Sequence, residues 1–542
     1  MSKRIIFLTI FLLLNQILFS QHRIPSEKPK LIIGIVVEDM AYDYIFRFWD
    51  KYSERGFKRL INQGTLCKNV HHNYLFTNTA AGHASISSGS FPSAHGIVGS
   101  FWYSQNEETI IDCTFDENEK TIGSESNSGK KSPKHMLSET FADRLKLANN
   151  KKSKVYSISL DDKPSILSGG HLADAAYWFD NSTGFWISSS FYIENLPLWL
   201  NEFNEKHFPD IYIERHWNTL YSIEKYTESI GDDNQYEKGF EGEFKTFPHK
   251  INELKSKDYE ILKYTPYGNT YTKDFAIETI VNEELGDDNF TDFISITFSA
   301  SKYIAETFGM YSVEIEDTYL RLDKDIAHFL KFIDEYLGKH NVIVYLSSDG
   351  GLAPNSDFNK NEKLPGNFFD SERANLLLRA YLNAKYGHGQ WIKKFMNQQI
   401  YLNRNLIEDS NISLKDFQED VCQFIMQFSG VSAVSNSVNL QSDAANYQEV
   451  GYMKNSYKNK RSGDILIKLE AGWSQNKQHS ISHNYGYNSE THVPLIWYGW
   501  KISRSTISEQ ISVVDIVPTI SSLINISCPN ACQGKTIIEL LK

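Results

Sequence analysis

The sequence predicts an α/β fold with a mainly parallel central sheet, helices on both faces and two insertions. Three observations carry that expectation. Apolar runs of strand length recur without polar alternation, which suits strands buried on both faces. Amphipathic helical patterns stand between the runs. Carboxylates and small residues gather where runs end, and open α/β sheets bind ligands beyond the carboxyl ends of their strands.

The elements follow in chain order. KLIIGIVVEDM is a continuous apolar run that closes on Glu38 and Asp39. FKRLINQG then reads as a helix. In YLFTNTAAGHASISSGS an aromatic stretch gives way to small residues that can open a helix, with Thr79 at the junction. VYSISL (155–160), DFISITFSA (292–300), NVIVYLSSDGG (341–351) and VPLIWYGW (493–500) repeat the strand pattern. The segment EIEDTYLRLDKDIAHFLKFIDEYLG places Ile315, Tyr319, Leu322, Ile326, Phe329, Leu330 and Ile333 on one helical face. Residues about 190–285 and 355–480 interrupt this rhythm and read as insertions over the sheet's carboxyl edge. The second contains DILIKLEAGW, a further candidate strand.

Composition bounds the function. The chain has 542 residues, 41% hydrophobic, 13% aromatic and 23% charged, which excludes a wholly disordered, collagen-like or coiled-coil protein. A formal net charge of −12 gives no general attraction to nucleic acid or anionic lipid. Residues 1–20 read as a signal peptide: Lys3 and Arg4 precede the apolar run Ile5 to Leu14, too short to span a bilayer, and Ser20 offers a small residue for cleavage. Residues 21–29 read as a linker, and 30–542 as the folded domain. An exported protein, periplasmic or secreted, without a membrane span after cleavage is expected. Of five cysteines, Cys528 and Cys532 are near enough in sequence to close a small loop.

Three positions at strand or helix ends can carry chemistry. Thr79 would open a helix, where unpaired backbone N–H groups favour a phosphate or sulfate. A threonine hydroxyl needs a base or a metal to become a nucleophile. Glu38, with Asp39, and Asp349 are carboxylates able to hold such a metal. Each also has a bland reading, as a cap or a turn residue.

These segments resemble the phosphate-irrepressible alkaline phosphatases, a secreted branch of the alkaline phosphatase superfamily. The resemblance rests on PKLIIGIVVEDM, ERGFKRLINQG, NTAAGHASISSGSFPSAHGIVGSFWY, ISLDDKPSILSGGHLADAAYWFD, YTPYGNTYTKDFAIE, SVEIEDTYLRLDKDI, LSSDGG and ETHVPLIWYGW, in the family's order from about residue 29 to the end. It implies an alkaline-phosphatase-like sandwich in which two zinc ions bridge a threonine nucleophile. Thr79 matches that nucleophile, Asp349 the aspartate of an S-D-H-G motif, and His492 a late histidine ligand. Glu38 stands where the family has aspartate.

The other implied positions depart from the pattern. Lys302 and Glu306 stand where the family has metal-binding aspartate and histidine, and Gly350 where it has the histidine of S-D-H-G. The substrate contacts asparagine, lysine and arginine read Ser100, Asp161 and Lys163. A protonated lysine cannot ligate and repels a dication, so a pair of zinc ions is not expected; a single divalent ion is the alternative. At helical spacing Lys302 and Glu306 would face each other as a pair. Lys302 either supplies the charge of a missing ion or marks lost function. Asp161 would repel a phosphate oxygen. His83 and His95 lie in family segments without being family ligands and read as structural.

The expectation is an alkaline-phosphatase-family protein acting on a small phosphorylated molecule, with phosphomonoester hydrolysis impaired or lost. The alternative is an active phosphomonoesterase or phosphodiesterase with an atypical or single-metal site. A sulfatase reading lacks the Cys/Ser-x-Pro-x-Arg segment, since Thr79 is followed by AAGH.

Overall fold

The computed structural model describes residues 27–254, 258–442, 448–475, 481–482 and 485–542. The expected signal peptide and the start of the linker lie outside the described residues.

A ten-stranded mixed sheet organises the chain. Its strands are β1 (Leu31–Val37), β2 (Thr65–His71), β3 (Thr121–Ile122), β4 (Val155–Ser159), β5 (Ala175–Phe179), β6 (Trp186–Ser189), β7 (Asp292–Phe298) and β8 (Val342–Ser347). A second sheet supplies β9 (Ile392–Met396), β10 (Gln399–Leu402), β11 (Val431–Asn436) and β12 (Ile465–Leu469). Two late strands, β13 (His492–Gly499) and β14 (Ser505–Ser512), return to the first sheet. Its order is β14-β2-β13-β8-β1-β7-β4-β5-β6-β3.

The middle is parallel. β1 pairs with β8 on one side and β7 on the other, and β7 continues to β4 and β5. All seven residues of β1 are buried. Leu31, Ile33, Ile35 and Val37 enter one apolar core while Ile32 and Val36 enter the core on the opposite face. This is why the strand reads as unbroken apolar sequence rather than alternating. VPLIWYGW forms a strand as expected, but β13 runs antiparallel to both β8 and β2. TLCKNVH and STISEQIS, which form β2 and β14, carry no continuous apolar run and were not legible as strands.

Helices flank the sheet. The first, α1 (Phe57–Gln63), is FKRLINQ. Helix α2 (Thr79–Ser88) opens at Thr79. Helix α3 (Asp162–Gly169) follows β4, and α4 (Ala300–Phe308) follows β7. The long α5 (Val313–Tyr336) buries its whole expected apolar face, Ile315 to Ile333, against the sheet. Its opposite side is polar and also covered: Trp217 Nε1 donates to Asp317 Oδ2 at 2.7 Å, and His249 Nε2 lies 2.7 Å from Glu314 Oε1.

Within 355–480, β9 to β12 form a four-stranded antiparallel sheet with its own core, closed by α6 (Ser371–Tyr386) and α7 (Leu414–Ile425). DILIKLEAGW contributes β12. Cys528 and Cys532 are unbridged thiols, so the expected small loop is not closed by a disulfide.

Register aligns the functional end. Val36 pairs with Ser347 on β8 and with Thr297 on β7, so the three chains leave the sheet at one level. α2 lies directly against this edge. A Cβ on Gly82 would come within 2.3 Å of the Asp349 carbonyl oxygen. Only glycine allows that approach. Gly82→Ala is therefore expected to lower stability by about 1–3 kcal/mol, the usual cost of overpacking, read as a fall in Tm.

Candidate active site

Five elements bring side chains to this edge. Glu38 N donates to Phe298 O at 3.0 Å, prolonging the β1–β7 ladder by one residue. The chain then turns. Asp39 adopts φ +55°, a left-handed conformation that aspartate tolerates better than most residues. Two bonds fix the turn: Asp39 N donates to Asp349 Oδ1 at 3.0 Å, and Met40 N to Ser348 Oγ at 2.9 Å. Ser348 is held in turn by His72, whose Nε2 donates to its carbonyl at 3.0 Å.

Thr79 is the first residue of α2. The Asn78 side chain caps this helix by accepting from Ala81 N at 3.2 Å. Lys302, on the first turn of α4, donates from Nζ to Thr79 Oγ1 at 3.0 Å. One turn into α2, His83 directs Nε2 at two carboxylates, 3.7 Å from Glu38 Oε1 and 3.9 Å from Asp349 Oδ2. Its Nδ1 lies 3.4 Å from Ser168 Oγ on α3.

The site is rich in buried, unpartnered atoms. Both oxygens of Glu38, Asp39 Oδ2, Asp349 Oδ2 and His83 Nε2 have no hydrogen-bond partner among the described residues. Leaving such groups bare costs several kcal/mol each, unless they take up a proton or a cation. The shifts run in that direction. Burial, then the neighbouring Glu38 charge, pushes the Asp349 carboxyl up to about 6. Burial and Asp349 raise Asp39 well above the usual carboxylate range. Burial alone would discharge Lys302, but Glu38, Asp161, Glu306 and Asp39 around it outweigh burial and raise its pKa.

These donors fit one divalent cation. Glu38, His83 and Asp349 each offer an atom within 4.8 Å of the other two. The Lys302 ammonium stands on the approach to Thr79.

Sequence-derived positions fare differently. Glu38, Thr79, Asp349 and Lys302 converge. The expected Lys302–Glu306 pair is replaced, because the ammonium turns to Thr79; Glu306 stays close enough for its charge to act on Lys302. Gly350 borders the site with open space: a Cβ there would meet nothing nearer than Asp39 Oδ1 and Glu490 O, both at 3.9 Å. His492 stands apart from the cluster. It heads β13, lies with Nε2 2.7 Å from Lys68 O, and stacks on Tyr42 and His71.

Two of the three implied substrate positions, Asp161 and Lys163, are engaged by neighbouring side chains. Asp161 accepts from Lys263 Nζ at 2.7 Å and from Tyr303 OH at 2.6 Å. Burial would raise its pKa, but Lys263 and Lys302 hold it below the usual range. Its charge is thus compensated rather than free to repel phosphate. Lys163 donates to Asp112 Oδ2 at 3.3 Å and lies over the Phe101 ring. Ser100 follows Gly99, whose Cβ position is 3.7 Å from Asn78 Nδ2.

Two residues escaped the sequence reading. Lys263 carries no motif. His83, read as structural, stands four residues after Thr79, and that helical spacing is the signal that would have placed both on one face. His95 is structural as expected: Ile97 N donates to its Nδ1 at 3.1 Å, and its Nε2 lies 3.1 Å from Ser85 Oγ.

Comparison with known proteins shows the family and the fold. The family model for type I phosphodiesterase / nucleotide pyrophosphatase matches residues 32–493, and the chain belongs to this family of the alkaline phosphatase superfamily. Within it, the chain is similar to alkaline phosphatase PafA of Elizabethkingia meningoseptica, 38% identical over 520 residues that cover 95% of each chain. It is also similar to alkaline phosphatase PhoV of Synechococcus elongatus, 36% identical over 519 residues, covering 95% of this chain and 93% of that one. The crystal structure of wild-type PafA superposes with a TM-score of 0.91 at 36% identity, covering 95% of this chain and 100% of that one. The fold is therefore that of alkaline phosphatase.

Burial, aided by the charges of Arg461 and Lys458, pushes His95 down to about 3. The unfolded chain protonates this imidazole near the ordinary value of ~6.5 while the folded chain does not, so its contribution is present above that pH and is lost as pH falls. Urea unfolding at pH 7 and pH 5 is expected to show the wild type losing about 2 kcal/mol more than His95→Gln over this interval.

Proposed function

We propose that this chain is an exported phosphate-ester hydrolase with one divalent cation, in which Thr79 is the phosphoryl acceptor and Lys302 replaces the second cation. The contact between Lys302 Nζ and Thr79 Oγ1, 3.0 Å, carries this reading. Export rests on the leader-like residues 1–20. Among the described residues, no helix is long and apolar enough to cross a membrane.

The chain's own groups divide the work. The first N–H groups of α2 favour a phosphoryl group beside Thr79. Lys302 holds the threonine oxygen from one side and stabilises negative charge as it develops there. Glu38, Asp349 and His83 would hold the cation, which supplies Lewis acidity when bound. The locked pair Asp161–Lys263 contributes no free charge to a substrate.

The same substitution limits the rate. Lysine brings one positive charge and no Lewis acidity, so it cannot generate hydroxide from bound water as a second metal does. Hydrolysis of a small phosphomonoester is thus slow beside a two-metal relative.

The test is turnover of an aryl phosphate by the purified chain with one equivalent of added zinc. Slow, zinc-dependent release of the phenol is expected, abolished by Thr79→Ala. Lys302→Gln is expected to cut kcat by roughly 100-fold, the usual cost of losing one donor at a developing oxyanion. No release in the wild type, or release unaffected by Thr79→Ala, overturns the proposal.

A further inference from the structure

We infer that His83 is a metal ligand in this chain, taking over the imidazole role that Gly350 cannot fill, and that the resulting Glu38–His83–Asp349 site selects zinc. This rests on the single-cation reading above, and goes beyond the pattern of the resembling family, which uses the position of Gly350 and not that of His83.

Geometry carries the argument. Donors bound tetrahedrally at ~2.0–2.1 Å lie ~3.3–3.5 Å apart. His83 Nε2 stands 3.7 Å from Glu38 Oε1 and 3.9 Å from Asp349 Oδ2, each within several tenths of an ångström of a bound spacing, and one atom of each of the three residues lies within 4.8 Å of the other two. The three side chains are at most 1% exposed, and each presents an unpartnered atom to the others.

The surroundings prepare the donors. His83 Nδ1 lies 3.4 Å from Ser168 Oγ, a contact that orients the ring with Nε2 facing the carboxylates. Asp349 Oδ1 is engaged by Asp39 N, which leaves Oδ2 for the ion. Glutamate at 38 matters too. Its extra methylene, relative to aspartate, extends the carboxylate toward a ligand arriving from α2 rather than from residue 350.

Ligand type then decides the metal. Magnesium and calcium favour all-oxygen shells, whereas one imidazole with two carboxylates suits zinc. Among the described residues, His72 engages both ring nitrogens, with Ser348 O and with Tyr74 OH, and His492 stands apart from the cluster with Nε2 2.7 Å from Lys68 O.

Zinc titration of the metal-free full chain against a chromophoric chelator tests this without reference to turnover. One zinc per chain is expected, at least about 100-fold weaker in His83→Gln, with magnesium unable to compete at equal concentration. A second variant guards against misfolding. In His83→Gln/Gly350→His, the new imidazole enters the open space at residue 350, and tight binding is expected to return. Circular dichroism and Tm of the metal-free proteins confirm that each is folded. Wild-type zinc affinity in folded His83→Gln, or preference for magnesium, overturns the inference and leaves the single-cation proposal standing. Binding of no zinc, or of two, by the wild type overturns both.

Discussion

One ammonium beside one hydroxyl organises this site. Lys302 sits among carboxylates, and the charges of Glu38, Asp161, Glu306 and Asp39 all act on it. Four carboxylates, those of Glu38, Asp39, Asp349 and Glu306, act on the space around Thr79, while Asp161 is balanced by Lys263. Lys302 acts on all four, and Lys238 adds a second positive charge that acts on Glu306. In the function proposed above, a bound cation would relieve the remaining excess of negative charge.

The fold was largely legible because burial leaves a mark in sequence. β1, β7 and β8 are covered on both faces and so read as unbroken apolar runs, and α5 displays its core face at helical spacing. β14 was missed because it is the sheet's last strand and exposes much of its length; β2, largely buried, was missed because polar residues interrupt its apolar ones. The antiparallel direction of β13 left no such mark. Strand sequence records burial, not polarity of pairing.

The site was half legible. Thr79, Glu38 and Asp349 follow from position at strand and helix ends. Lys302 was found only through resemblance, and its partner was misjudged. Helical spacing pointed it at Glu306, whereas tertiary packing of α4 against α2 offered a nearer acceptor. His83 was set aside because resemblance assigned it no role, although a residue without one in a family can acquire it when neighbours change. Asp161 looked hostile to phosphate because Lys263, 102 positions away, is invisible to local reading.

The contact of Gly82 with the Asp349 backbone has a mechanical meaning. The helix bearing the hydroxyl and the loop bearing the carboxylate touch main chain to main chain, with no deformable side chain as a cushion. Slippage of either is transmitted whole to the other. Displacement of Thr79 and displacement of Asp349 should therefore be one event, not two successive stages of inactivation.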